Sequence, residues 1–270
     1  PSTENMRILF LGDIVGRPAR DLLKERLPQL IHTEGLDFVV ANGENAAAGS
    51  GLTEKVARDL FEAGIDVVTL GDHAFKKKDV IPLLSSMDIT RPLNISRHAP
   101  GRGWLIKQKN ARKIGVINLQ GRVFMGPAEC PFAAVTDILE EVLSQVKVVL
   151  VDFHAEATSE KVAMGYFLAR KVSAVFGTHT HIPTADERII AGHTGFITDA
   201  GMCGSFDSVL GRKKESIIER FVTNLPVRFE LAEEDVRLQG VLLDVDEISG
   251  RTSSIKRVEY KQKSAASPAR

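Results

Sequence analysis

The chain has 270 residues, 43% of them hydrophobic and 26% charged, and its 35 basic side chains balance 35 acidic ones. That balance argues against a protein whose main task is to coat duplex nucleic acid or an anionic membrane, because both need a basic excess, and no apolar run approaches the ~18 residues of a membrane span. Two cysteines without C-x-x-C spacing, Cys130 and Cys203, exclude a secreted disulfide scaffold. One Trp and two Tyr offer little for stacking on single-stranded bases, which makes nucleic acid the less favoured partner. The polar lead from Pro1 to Asn5 lacks the charged-then-apolar pattern of an export signal, so the expected setting is soluble and cytoplasmic, away from membranes.

In chain order, Arg7 to Gly12 is a short apolar run bounded by Gly12-Asp13, which predicts a buried strand of a parallel sheet. Leu22, Leu23, Leu27, Leu30 and Ile31 form the stripe of an amphipathic helix over 19–33, with Gly35 as its stop. A strand over 37–41 follows, then a helix from Thr53, its N-cap, to Ala63 before Gly64, then a strand over 66–70. This alternation predicts βαβ units with right-handed crossovers. Residues 92–132 hold prolines and glycines around two short β-like runs, 104–106 and 113–119, and read as an irregular or cap-like insertion. A helix over 134–146, a strand over 147–153, a helix over 159–170 and strands over 173–177 and 194–198 come next. Residues 226–260 alternate as antiparallel strands do, Val241 to Val245 most clearly, and 261–270 read as a disordered Ser/Ala/Pro-rich tail. The expected architecture is one α/β domain over 1–260, a sandwich in which the mixed strands form a second sheet.

Ligands of open α/β sheets bind beyond the carboxyl ends of the strands, and polar residues collect at those ends. Asp13 follows the first strand, Glu44 and Asn45 the second, Asp72 and His73 the third; His154 ends a later strand, and His179 and His181 follow another. Five segments thus deliver three carboxylates, one amide and four histidines to what should be a single edge of one sheet. Singly, each has an ordinary reading: Asp13 as a turn or cap residue, Glu44-Asn45 as loop formers, each histidine as a hydrogen-bonded structural group. Together they point to metal, because His179 and His181 at i, i+2 on an extended chain share one side and mixed carboxylate and imidazole donors suit Zn, Mn or Fe. The donors are about twice what one ion needs. Two ions roughly 3.5–4 Å apart, the arrangement used for phosphoryl displacement, follow naturally.

The remaining candidates are weaker. His32, His98 and His193 read as structural or solvated, and Cys203 as a small buried residue. Lys76 to Lys78 and Arg212 to Lys214 read as solvated charge runs, with a phosphate contact as the alternative. Gly12-x-x-x-Gly16 is not a P-loop, since no Gly-Lys-Ser/Thr follows.

The order of these motifs resembles the calcineurin-like metallophosphoesterases, and more narrowly the YmdB-like family of bacterial phosphodiesterases. The stretches that carry the narrower likeness are 41–46, 151–161, 177–186 and 198–201, and the likeness runs from about Met6 to about Gly211. The resemblance implies the calcineurin-like metallophosphoesterase fold, an α/β/β/α sandwich of two mixed sheets flanked by helices. It implies that Asp13, Glu44 and His181 hold one metal, with Asn45 in or beside that shell and Glu44 bridging. Asp72, His154 and His179 would hold the second, and His73 would protonate the leaving alkoxide or fix the scissile phosphate. Divalent or mixed-valence ions, Fe or Mn before Zn or Mg, and a small phosphodiester such as a 2′,3′- or 3′,5′-cyclic nucleotide are implied with it, hydrolysed by a metal-bridging hydroxide.

Two positions depart from the wider pattern. Val15 stands where the superfamily has a metal-binding His, although the narrower family also lacks it. Asp72 stands where the family has Asn, and its extra negative charge is expected to tighten metal binding while slowing the reaction or shifting its pH optimum. Other readings remain: a phosphomonoesterase or nucleotidase on the same site, a regulatory nucleotide- or metal-binding protein with vestigial catalysis, and, behind these, a nuclease. Self-association is left open.

Overall fold

The computed structural model describes residues 5–262. In chain order the elements are β1 (Asn5–Leu11), β2 (Asp13–Ile14), α1 (Gly16–Glu34), β3 (Phe38–Asn42), α2 (Glu54–Glu62), β4 (Val67–Thr69), α3 (Leu83–Ser86) and β5 (Ile89–Thr90). Then come β6 (Trp104–Lys109), β7 (Arg112–Gln120), α4 (Pro131–Gln145), β8 (Val149–His154), α5 (Thr158–Phe167), β9 (Ala174–Thr178), β10 (Arg188–Ile190) and β11 (Thr194–Ile197). The chain closes with β12 (Met202–Ser205), α6 (Lys214–Thr223), β13 (Val236–Asp246) and β14 (Thr252–Lys261). Gly35 ends α1 as expected, at φ 65°, a left-handed conformation that glycine adopts without steric penalty. Thr53 is the N-cap of α2, yet its side chain makes no capping hydrogen bond. That helix is held instead by burial of Val56, Ala57 and Leu60.

One sheet runs β2-β12-β13-β1-β3-β4-β5, with β14 on β13; the other runs β10-β11-β9-β8-β7-β6. In the first, β1, β3, β4 and β5 are parallel and β13 lies antiparallel to β1. In the second, β7, β8, β9 and β11 are parallel, with antiparallel edges. Strand alternation sorts side chains into three apolar layers. Ile8 and Phe10 of β1 face inward and meet Leu150 and Phe176 of the other sheet, whereas Leu9 and Leu11 face outward onto Leu22, Leu23 and Leu27 of α1. On the far side, Val149, Val151 and Phe153 pack under Val135 and Val142 of α4 and Met164 of α5. Phe10 and Phe176 stack across the middle at 4.3 Å between ring centroids. Truncating either to alanine costs about 3–5 kcal/mol. The chain therefore folds as two mixed sheets flanked by helices, as the resemblance implied.

Two expectations need correction. The segment 92–132 is not an insertion across its middle: β6 and β7 form a hairpin, and β7 pairs in parallel with β8 from Gly115 opposite Val149 to Gln120 opposite His154. Ile114 and Val116 fill the layer between the sheets while Ile117 and Leu119 fill the outer one, and it is this two-sided burial that extends the short β-like runs into full strands. The expectation of a tail from residue 261 fails at its first position. Lys261 is still paired with Arg237 in β14, and residues 263–270 lie outside the described residues. No helix among the described residues is long and apolar enough to cross a membrane.

Candidate metal centre

The polar strand ends come from two sheets, not from one edge of one sheet as the sequence suggested. Asp13, Glu44, Asn45, Asp72 and His73 follow β1, β3 and β4 of the first sheet; His154, His179 and His181 end or follow β8 and β9 of the second. Because the sheets pack face to face through their shared apolar layer, both sets of carboxyl ends open on the same side. Local turns then aim the groups. The Asn42 side chain accepts the Glu44 N–H at 3.1 Å, and the His73 N–H donates to Glu44 Oε2 at 3.0 Å. Gly71 is required by close approach, since a Cβ there would sit 2.2 Å from the His154 ring and 2.4 Å from Glu44 Oε2.

The two histidines after β9 do not share one side of an extended segment. His179 has φ 94° and His181 φ 64°, left-handed backbone that costs of order 1–3 kcal/mol per residue unless the surroundings hold it. Here the His179 N–H donates to Asp13 Oδ2 at 3.0 Å and the Thr180 N–H to Asp199 Oδ2 at 3.2 Å. The turn sends His179 toward His154 and Asp72, and His181 toward Asp13.

His154 Nε2 lies 3.0 Å from Glu44 Oε1, 3.1 Å from Asp72 Oδ1 and 3.1 Å from His179 Nδ1, and one atom from each of these four residues falls within 4.8 Å of all the others. With metal–ligand bonds of about 2.0–2.2 Å, adjacent ligand atoms sit roughly 3.0–3.4 Å apart, so the group is spaced as donors around a single cation. A second group adjoins it. Asp13 Oδ1 is fully buried and has no hydrogen-bond partner among the described residues; it lies 3.6 Å from His181 Nε2. An orphaned buried carboxylate oxygen is expensive unless a cation meets it, and the residues present fit one. Glu44 stands between the two groups, its Oε1 3.3 Å from Asn45 Nδ2, which is also 3.3 Å from His181 Nε2. Asn45 turns its Oδ1 the other way, to His73 Nδ1 at 3.2 Å, and so sits beside the donor shell. His73 stands at the rim with its side chain 36% exposed and Nε2 3.6 Å from Asp72 Oδ2.

Electrostatics reinforce this picture. Burial alone would raise the Asp13 carboxyl, but the nearby charges of His181 and His154 and the His179 N–H overcome it and hold the group well below the ordinary range. Asp72 is likewise pulled down to about 2, its burial outweighed by the hydrogen bond and charge of His154. His154 is fully buried, which disfavours its charge, yet Glu44 and Asp72 lift its pKa well above the usual value. His179 is lowered by burial and by the neighbouring His154. The carboxylates that draw a proton onto buried His154 would equally draw a divalent cation.

Behind the cluster lie groups that the sequence reading overlooked. His154 Nδ1 is 2.9 Å from Thr178 Oγ1, which donates to Asp152 Oδ1 at 2.7 Å; Thr178 therefore accepts the Nδ1–H and leaves Nε2 facing the other donors. Asp152 also accepts from Asn42 Nδ2 at 3.0 Å and from the Thr69 hydroxyl, so one buried carboxylate ties the two sheets together beneath the site. Burial pushes its pKa up to about 6, against the His154 charge and these hydrogen bonds. Asp152 was findable, because at i−2 from His154 on a strand it must share that residue's face. Lys161 and Asp199 carried no such signal: a helix lysine reads as solvated, yet Lys161 is 1% exposed and its Nζ lies 2.9 Å from both Asp199 Oδ2 and Thr180 Oγ1.

The other candidates fall outside the cluster. His32, His98 and the triplet Lys76 to Lys78 are exposed, and His193 sits in the turn before β11. Arg212 is half-buried and its guanidinium donates to Gly49 O at 2.6 Å and Ala48 O at 3.4 Å, while Lys213 and Lys214 are ion-paired with Glu230 and Asp207 at the surface. Cys203 is buried as expected.

Known proteins share this arrangement of chain and fold. A protein of Bacillus subtilis (strain 168) named 2′,3′-cyclic-nucleotide 2′-phosphodiesterase is 44% identical over 254 residues, covering 94% of this chain and 96% of the relative. The crystal structure of a hypothetical protein from Thermus thermophilus superposes with a TM-score of 0.89 at 38% identity, covering 95% of this chain and all of that one. That of a novel phosphatase from Mycoplasma pneumoniae gives the same TM-score of 0.89 at 34% identity, covering 95% of this chain and 94% of the other. The family described as YmdB-like protein matches residues 9–258, nearly the whole chain, and the chain belongs to that family.

Proposed function

We propose that the chain is a metal-dependent phosphodiesterase acting on small phosphodiesters, with cyclic nucleotides as substrates and the 2′,3′ class first. The observation that carries this reading is the packing of Glu44, Asp72, His154 and His179 at ligand spacing beside the orphaned Asp13 oxygen. The name of the Bacillus subtilis relative supports the substrate class. In this reading Asp13 and His181 would hold one ion and Asp72, His154 and His179 the other, with Glu44 shared between them, Fe or Mn as the metals and the cytoplasm as the setting. When bound, such a pair supplies an acidified water and neutralises charge on the phosphoryl oxygens.

The chain's own residues do the rest. Asn45 Oδ1 accepts the His73 Nδ1–H and fixes the ring, so Nε2 points from the rim toward the leaving oxygen and delivers its proton there. Thr178 and Asp152 hold the His154 tautomer. His73→Ala should lower turnover of a cyclic nucleotide by about 10²–10⁴-fold with metal per chain retained, whereas Glu44→Ala should lose metal. Full activity in His73→Ala would show that the proton comes from elsewhere. A phosphomonoesterase reading is favoured by the phosphatase description of the Mycoplasma pneumoniae structure; faster turnover of nitrophenyl phosphate than of bis-nitrophenyl phosphate would select it.

A further inference from the structure

A cavity of about 370 Å³ opens beside Asp72 and Gly71, walled by Phe75, Ile95, Pro127, Ser96 and Gln120. Its size lies within the range of small-molecule sites. A larger cavity of about 680 Å³, lined mostly by charged residues between 207 and 234 together with Ala48, shares no residue with the metal cluster. The smaller one therefore continues the chemistry. Two of its walls have the properties that a nucleobase needs. Phe75, two residues beyond His73, leaves 36% of its surface exposed, a large aromatic face unclaimed by the core. Gln120 ends β7 directly opposite His154 in register. Its backbone is fixed on both sides by Asn94, which accepts the Gln120 N–H at 2.8 Å and donates to its carbonyl at 2.7 Å. The residue is only 2% exposed, and its Nε2 makes only a long 3.4 Å contact with Gly126 O, so the amide has bonding capacity to spare toward the cavity.

A nearly buried amide with spare hydrogen-bonding capacity, on a wall that is mostly apolar apart from Asp72 and Ser96, is suited to read a polar edge. A base offers such an edge, and its flat face suits Phe75. In a 2′,3′-cyclic nucleotide the base stands one sugar ring from the phosphorus, the reach of a cavity whose wall includes Asp72.

We propose that this cavity is the nucleobase site of the enzyme, with Phe75 stacking on the base and Gln120 hydrogen bonding to its edge. This rests on the phosphodiesterase reading above and adds to it the part of the substrate that sets specificity. Steady-state kinetics with adenosine 2′,3′-cyclic phosphate and with glycerol 1,2-cyclic phosphate, the same five-membered diester without a base, test it. Phe75→Ala should raise the ratio of nucleotide KM to glycerol-ester KM by roughly tenfold or more, Phe75→Tyr should restore the ratio, and Gln120→Leu should raise it several-fold. A ratio unmoved by Phe75→Ala while both esters turn over would overturn the base site and leave the phosphodiesterase reading intact. Failure of the unmodified protein to hydrolyse either ester would refute both.

Discussion

Replacing Lys161 with methionine tests whether the buried ion pair behind β9 holds the turn that carries His179 and His181. Lys161 and Asp199 are 1% and 0% exposed. Asp199 Oδ2 meets the Lys161 ammonium at 2.9 Å, the Thr180 hydroxyl at 2.6 Å and the Thr180 N–H at 3.2 Å, while Oδ1 accepts the Gly201 N–H at 2.8 Å. Methionine fills most of the lysine's volume but leaves a buried carboxylate with only neutral donors, a change that costs about 3–5 kcal/mol. At about 2–4 °C per kcal/mol for a chain of this size, melting should fall by roughly 6–20 °C. Thr180 also loses the ammonium that steadies it between two left-handed histidines, so metal affinity should fall roughly 10- to 100-fold, as when a supporting partner of a ligand is removed. Urea denaturation and metal retention against a chelator read the two effects separately. In Lys161→Met/Asp199→Leu no charge is left unpaired, so most of the stability should return, but metal retention should stay low because Thr180 has lost its anchor. A loss below about 1 kcal/mol in the single variant, within the range of an ordinary surface substitution, would refute the electrostatic argument. A destabilised variant with undiminished metal retention would refute the positioning role.

Three further outcomes are expected. Gly71→Ala should lose metal and activity while the chain stays folded, because a methyl there would meet His154 and Glu44 at 2.2–2.4 Å; metal content equal to the unmodified chain would show that the cluster shifts freely. Asp72→Asn keeps a ligand oxygen but removes a charge that faces His154 and His73, so metal should be released at lower chelator concentration, and unchanged retention would show that the Asp72 charge does not tighten metal binding. Burial pushes the Cys203 thiol up to about 12, and since the thiolate is the reactive form, a thiol reagent at pH 8 should miss Cys203 in the native protein and reach it only in denaturant; two fast thiols in the native state would contradict its burial.

Much of the fold was legible because its signals are local. The apolar run from Ile8 to Leu11, the stripe of α1 and the stop at Gly35 each follow from one short window. The polar strand ends were legible for the same reason, since Asp13, Glu44, Asp72 and His154 interrupt apolar runs where a strand must stop. The β6–β7 hairpin was not, because its runs look short until sheet and helix bury both faces of β7.

Which chemistry the chain carries can be read from its residues alone: carboxylates and imidazoles at strand ends, in a protein neutral overall and without a membrane-length apolar run. Tertiary structure decided how they meet. It drew the donors from two sheets, turned His179 and His181 apart through left-handed backbone, and set Asp152 and the Lys161–Asp199 pair behind them. The physical reason is that a buried charge is tolerated only where partners reach it, and those partners lie tens to more than a hundred residues away in the chain, beyond any local pattern.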